Sequence, residues 1–167
     1  MALGTVAIYC ADTSALIDMK NTYPLETFPT LWRNLGDLVT GGRLIAPPQV
    51  LEELERGDDV LTAWARAHRT MFRRSSQELF DKAKDVVARF PDLVDRNKEH
   101  EDADPYVVAL AALESEGQQS LLTPATCVVL TQEHRRIGKS RIPHAAAGLG
   151  LDCIGPTQLL ANENWEF

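Results

Sequence analysis

Apolar and polar positions fall in blocks along this chain, and most block boundaries carry a recognisable breaker. Val6-Ala7-Ile8-Tyr9-Cys10-Ala11 is a continuous apolar run, the pattern of a strand buried on both faces. It stops at Asp12. Thr13 or Ser14 can cap the helix that Ala15-Leu16-Ile17 begins. That helix covers residues 15–19 and is broken by Asn21-Thr22-Tyr23-Pro24, because proline disfavours helix in the residue before it. A second helix is predicted over 25–40, with Phe28, Leu31, Trp32, Leu35, Leu38 and Val39 on one face and Gly41-Gly42 as its stop. Arg43-Leu44-Ile45-Ala46 reads as a short strand ended by Pro47-Pro48. In the next helix Val50, Leu51 and Leu54 point inward, Glu52, Glu53 and Glu55 crowd around them, and Gly57 closes it.

Residues 58–74 read as helix, with Val60, Leu61, Trp64 and Met71 as its buried positions. Ser75 or Ser76 then caps a helix from Gln77 to about Phe90, with Phe80, Ala83, Val87 and Phe90 inward, and a second helical piece covers 92–98. Asp104-Pro105 suits a helix start, the acid as cap and the proline in the first turn. Residues 106–116 are apolar on most sides, as in a buried helix, and Gly117 ends them. Cys127-Val128-Val129-Leu130-Thr131 is a buried strand that ends near Glu133. Residues 134–141 form a basic loop, 143–148 a short helix, 151–154 a last strand and 157–160 a last helix. Strands alternate with helices, so the expected class is α/β with a mainly parallel sheet of four or five strands. The strandless stretch 58–98 reads as a helical arm on one side of it.

The length of 167 residues fits a single domain spanning 1–167 with a core of ordinary size. Hydrophobic content of 44% and charged content of 25% are those of a water-soluble globular chain. No apolar run approaches the roughly 18 residues that span a bilayer, so no membrane partner is expected. The first apolar run has no basic region before it and contains an acid, so no signal peptide is expected either. Cys10, Cys127 and Cys153 are widely spaced within strand-like runs. They read as reduced core thiols, which makes a cytoplasmic location the default. The net charge of −7 argues against a protein that binds nucleic acid by bulk charge alone.

Four acids sit where elements meet: Asp12 after the first strand, Glu53 in Val50-Leu51-Glu52-Glu53-Leu54, Asp104 before the buried helix, and Glu133 after Val129-Leu130-Thr131-Gln132. Each has an ordinary explanation, because helix caps are acidic and glutamates line solvated helix faces. Asp12 reads equally well as a cap and as a metal ligand. Strand ends and helix starts on one side of an α/β sheet can, however, converge on one cleft.

These residues carry a resemblance. The chain resembles a PIN domain, more narrowly the VapC-like toxin ribonucleases, and within that superfamily most of all the DUF4411 proteins. The likeness rests on Tyr9-Cys10-Ala11-Asp12-Thr13-Ser14-Ala15-Leu16-Ile17, Tyr23-Pro24, Leu31-Trp32 and Val50-Leu51-Glu52-Glu53-Leu54. It continues through Ala103-Asp104-Pro105-Tyr106-Val107-Val108-Ala109-Leu110-Ala111, Val129-Leu130-Thr131-Gln132-Glu133 and Arg141-Ile142-Pro143. It implies a three-layer α/β/α fold and a divalent-metal endoribonuclease with Asp12, Glu53, Asp104 and Glu133 as catalytic and metal-binding acids. Thr13 or Ser14 would be their polar companion. The family often has aspartate where this chain has Glu133, which keeps the charge on a side chain one methylene longer. Residues 118–126 form a longer connection than the family pattern suggests.

Hard carboxylate oxygens suit Mg²⁺ or Mn²⁺, and no Cys/His cluster suits zinc. On this reading Asp12 is the central ligand, Glu53 and Asp104 stand beside it, and Glu133 supports a second ion or its waters. One ion activates a water for attack at phosphorus and a second steadies the leaving oxygen. Like charges so close should raise at least one acid's pKa in the metal-free protein. RNA is the expected substrate. Arg135, Arg136, Lys139 and Arg141, which follow Glu133, are candidates for its phosphates, and Arg66, His68, Arg69, Arg73 and Arg74 form a second basic group. The resemblance further implies a cognate antitoxin protein. A homodimer through the apolar faces of 25–40 or 58–74 is a further expectation. Three rivals stand beside this reading. A catalytically silent relative would only bind RNA or protein. An aspartyl phosphatase would want an acid where Ser14 stands. A phosphate-binding P-loop ending in Gly138-Lys139-Ser140 would need glycine where Glu133 stands.

Overall fold

The structure, a computed structural model, describes residues 6–57, 59–95, 97–135 and 141–167, the side chains of 134 and 135 excepted. Its centre is a four-stranded sheet of β1 (Ala7–Ala11), β2 (Leu44–Ile45), β3 (Thr126–Leu130) and β4 (Asp152–Ile154). The order is β2-β1-β3-β4 and every pair is parallel. Helices cover the sheet in a three-layer α/β/α arrangement. From β1 the chain first winds outward to β2, then crosses back to place β3 on the other side of β1. The crevice between β1 and β3 is therefore the switch point of the sheet, where ligand sites of open α/β folds lie. Cys10 pairs with Ile45 and Ala11 with Leu130, so Asp12 and Thr131 leave the sheet side by side at its carboxyl edge.

Between β1 and β2 run α1 (Thr13–Thr22) and α2 (Pro29–Thr40). The cap of α1 is Asp12, accepting the Ala15 N–H at 2.8 Å, one of the candidates the sequence offered beside Thr13 and Ser14. The second helix begins at Pro29 rather than at 25, because proline is favoured in a first turn. Its Leu31, Trp32, Leu35, Leu38 and Val39 are buried. The apolar face of α4 (Val60–Ala67) is likewise buried through Leu61, Trp64 and Ala65. Both faces offered by the sequence for a dimer are thus used inside the chain.

Within the stretch 58–98 the helix expected over 58–74 is shorter than the sequence suggests. Asp59 and Thr62 form a reciprocal capping box on α4, but the helix ends at Ala67 and a 3-10 turn, Arg69–Met71, follows. Phe72 then runs beside Ala46 as a parallel bridge, with Ala46 donating to Met71 O at 3.0 Å and Arg73 donating to Ala46 O at 2.9 Å. Helix α5 (Gln77–Arg89), capped by Ser76, packs on α6 (Asp104–Gln118). Leu79, Ala83 and Val86 are its buried positions. Phe80, expected inside, is 46% exposed, because the side of α5 facing α6 is one residue out of phase with the predicted one. Among the described residues a 3-10 turn, Pro91–Leu93, stands where the second helical piece was expected.

Between β2 and α4 lies α3 (Pro48–Gly57). In α6 every residue from Pro105 to Ala112 is buried. In the long connection after α6, Gln118 Oε1 accepts the Ala125 N–H at 2.9 Å, while Leu122 lies fully exposed. Helix α7 (Arg141–Gly148) leads to β4, and α8 (Pro156–Asn162) closes the fold. At the amino edge of the sheet Tyr9 Oη donates to Glu163 Oε1 at 2.7 Å, and Arg43 donates both to Glu163 and to Ala7 O. The three cysteines are free thiols, and burial pushes that of Cys127 up to about 12. Among the described residues no helix is long and apolar enough to cross a membrane.

Candidate active site

Asp12 is 2% exposed. Besides capping α1, its carboxylate accepts Ser14 Oγ at 2.9 Å and Thr131 Oγ1 at 2.6 Å. Burial pushes Asp12 up to about 6, against the hydrogen bonds from Thr131, Ala15 and Ser14, which pull it down; the charge of Glu133 adds to the rise. The cost of burying this carboxylate is thus met by donors from three sides. Thr131 also accepts the Glu133 N–H at 3.1 Å, and Ser14 Oγ accepts the Gln132 N–H at 3.3 Å. The ends of β1 and β3 are therefore sewn together across the switch point.

Asp104 does not cap α6. It is the first helical residue, behind Ala103. The capping work falls to Glu53, whose Oε1 accepts the Ala103 N–H at 3.0 Å, and to Asp102, whose Oδ1 accepts the Asp104 N–H at 3.2 Å. The half-buried Asp104 carboxylate makes no hydrogen bond among the described residues. Burial first, and then the charges of Asp102, Asp12, Glu133 and Glu53, push it up to about 8. Asp104 therefore feels the other three sequence-predicted acids, and Asp12 feels Glu133. Glu133 is also held by a backbone donor, its Oε2 accepting the Ile142 N–H at 3.3 Å in the first turn of α7.

Lys98 brings a cation to this edge. Its Nζ lies 3.3 Å from Asp102 Oδ2. Burial works against the ammonium, but Asp102, Asp104 and Glu53 outweigh it and the lysine's pKa is raised. Beside this pair a groove of about 600 Å³ opens between α5 and α6, with Phe80, Val87, Val94 and Tyr106 in its walls.

Among the described residues two buried side-chain oxygens have no hydrogen-bond partner, Thr13 Oγ1, beside Asp12 in the chain, and Gln49 Oε1 in α3. The donor set is all oxygen, as Mg²⁺ and Mn²⁺ prefer. Among the described residues, however, no group of three His, Cys, Asp or Glu side chains stands at metal-holding spacing. Glu53 and Glu133 are drawn aside by backbone N–H groups, and Asp12 by hydroxyls. Of the basic residues, Arg136 and Lys139 and the side chain of Arg135 lie outside the described residues, while Arg141 opens α7. In the other basic group, Arg66 faces Glu55 at 3.6 Å and His68 stacks on Trp64. Arg66 thus lies along the α3–α4 surface.

Asp102, Lys98, Gln49 and Thr131 were not singled out from sequence. Thr131 lay within a quoted motif, two residues before Glu133, and a hydroxyl at a buried strand end is a readable sign. Asp102 was hidden in the acidic run Glu99-His100-Glu101-Asp102.

Over residues 9–167 the chain matches the family described as a domain of unknown function, DUF4411. It belongs to that family. No curated protein and no solved structure matches this DUF4411 chain. Its match begins at Tyr9 and takes in the whole acidic site.

Proposed function

We propose that this DUF4411 protein is a PIN-type, Mg²⁺- or Mn²⁺-dependent endoribonuclease, acting as the toxin of a toxin–antitoxin pair. The observation that carries this reading is the crowding of Asp104 by Asp12, Glu53 and Glu133 near the switch point of a parallel sheet, with Asp104 held up to about 8 and unbonded among the described residues. A fold that gathers carboxylates at such cost has a cation as their natural complement. A hydrated divalent ion needs only one or two direct carboxylates and keeps several waters, so the absence of a closed three-acid cage among the described residues is compatible with it.

Asp104 is the acid free to turn toward a bound ion. Asp12 is fixed in place by Ser14 and Thr131, and Glu53 and Glu133 hold the local backbone while facing Asp104 with their charge. Such an ion would supply an acidified water and neutralise phosphate charge. Arg141, with Arg135, Arg136 and Lys139, would meet the RNA backbone. An acidic site of this kind also accepts a basic side chain from an antitoxin.

A second reading is a silent PIN-like module that binds RNA or protein. The observation in its favour is that Asp12, Glu53 and Glu133 all have protein donors already. Incubation of purified protein with total cellular RNA and Mg²⁺ or Mn²⁺ separates the two. Discrete products that vanish with EDTA and in Asp12→Asn are expected. No cleavage despite metal binding by calorimetry favours the silent module.

A further inference from the structure

The groove between α5 and α6 joins apolar walls, an open aromatic ring and cations on one surface. Ala83, Val87 and Val94 are among its walls. The Phe80 ring, which also lines it, is 46% exposed. An opening of about 600 Å³ is in the range of ligand sites, and uncovered apolar surface of this kind marks a contact site. Lys84 Nζ stands 5.6 Å from the centre of the Phe80 ring. Lys98 lines the groove too, with 47% of its side chain exposed. Its ammonium faces Asp102 at 3.3 Å and carries further N–H donors for an incoming group. The carboxylates of the groove are engaged inside the chain: Asp102 with Lys98 and the Asp104 N–H, Glu101 with Tyr106 Oη, and Asp95 with the Asn97 N–H. Through Asp102 the groove is continuous with the acid site.

We propose that this groove is a docking surface for single-stranded RNA, with an unpaired base against Phe80 and the flanking phosphates on Lys84 and Lys98. The inference deepens the RNA-directed reading above and rests on it. The chemistry favours a single strand over a duplex. In a single strand the base faces are open and stack on aromatic rings, while cations track the backbone. In an A-form duplex the faces are stacked on one another and recognition falls to shape and backbone. A base held here would set the neighbouring phosphate toward the start of α6, where Asp104 stands.

Fluorescence anisotropy of a fluorescein-labelled oligoadenylate in EDTA tests this on the full chain, with binding separated from cleavage. Phe80→Ala should raise the Kd about 5–100-fold and leave the slope of log affinity against log salt unchanged, because stacking releases no counterions. Lys84→Met should lower that slope by about 0.7. So should Lys98→Met combined with Asp102→Asn, which removes the ammonium and its buried acid together and strands neither charge. For the same strand annealed to oligouridylate, Phe80→Ala should change nothing. An unchanged Kd in Phe80→Ala, an equal loss on the duplex, or unchanged slopes in both lysine variants overturns the inference and leaves the apolar walls to a protein partner; metal-dependent cleavage of total RNA by the native chain would be untouched by that result. Binding that depends on Phe80, without such cleavage, upholds the inference and turns the chain into the silent module. A native chain that binds no oligoadenylate overturns the inference outright.

Discussion

Replacing Asp104 by asparagine should stabilise the metal-free protein at neutral pH. The carboxyl titrates at about 8 in the folded chain and near 3.9 when unfolded. Between those values the folded state holds a proton that the unfolded state has released, so stability falls as pH rises through the window. One proton over one pH unit is worth about 1.4 kcal/mol. From about pH 5.5 to 7.5 Asp104 alone would remove about 2.7 kcal/mol, and water entering the site reduces that to about 1–2 kcal/mol. Asp12, at about 6, adds its share only below that value. The amide of Asp104→Asn has nearly the shape of the carboxyl, and no hydrogen bond among the described residues is lost with the charge. Urea unfolding in EDTA at about pH 5.5, 6.5 and 7.5 should show the variant more stable than the native chain by about 1–2 kcal/mol at the highest pH, with a flatter slope. An unchanged slope, or a variant less stable at pH 7.5, would show that the acids do not crowd Asp104 in solution.

Other perturbations test neighbouring parts of the structure. Thr131→Val keeps the shape but removes the donor at 2.6 Å from Asp12; we expect a loss of about 1.5–3 kcal/mol at pH 8, and a smaller one at pH 5 where Asp12 is protonated, read by urea unfolding. Gly148→Ala would put a methyl 2.4 Å from Phe90 Cζ, costing about 1–3 kcal/mol; a thermal scan showing no loss refutes that packing. Arg135→Ala with Arg136→Ala should flatten the dependence of RNA affinity on log salt by about two contacts' worth, and an unaltered slope removes these residues from the RNA path.

The two central strands were legible because Ile8–Ala11 and Cys127–Leu130 are continuous buried apolar runs, the pattern of strands covered on both faces. The helix expected over 58–74 was drawn too long because Met71 and Phe72 continue a helix-like spacing, while the edge at Ala46 captures Phe72 as a bridge. That contact lies far away in sequence and leaves no local trace. Phe80 misled for a related reason: an aromatic suggests core, yet Leu79 and Val86 face α6 and the ring lines a groove. Of the site, Asp12, Asp104 and Glu133 could be named because each stands at an element boundary, and Glu53, inside α3, only because of the motif around it. Their division of labour could not. Which acid holds a backbone N–H and which stays unbonded depends on where α3, α6 and α7 dock, as with Glu53 reaching Ala103.

The grip of Glu133 on Ile142 joins the two sides of residues 136–140. Under the proposed metal-dependent reading, a cation drawing on Glu133 Oε2 would compete with the Ile142 N–H for its electron density, so metal affinity and the setting of the first turn of α7, where Arg141 stands, would be coupled. An anion that engages Arg141 should then alter the affinity for the ion by the same factor as the ion alters the affinity for the anion.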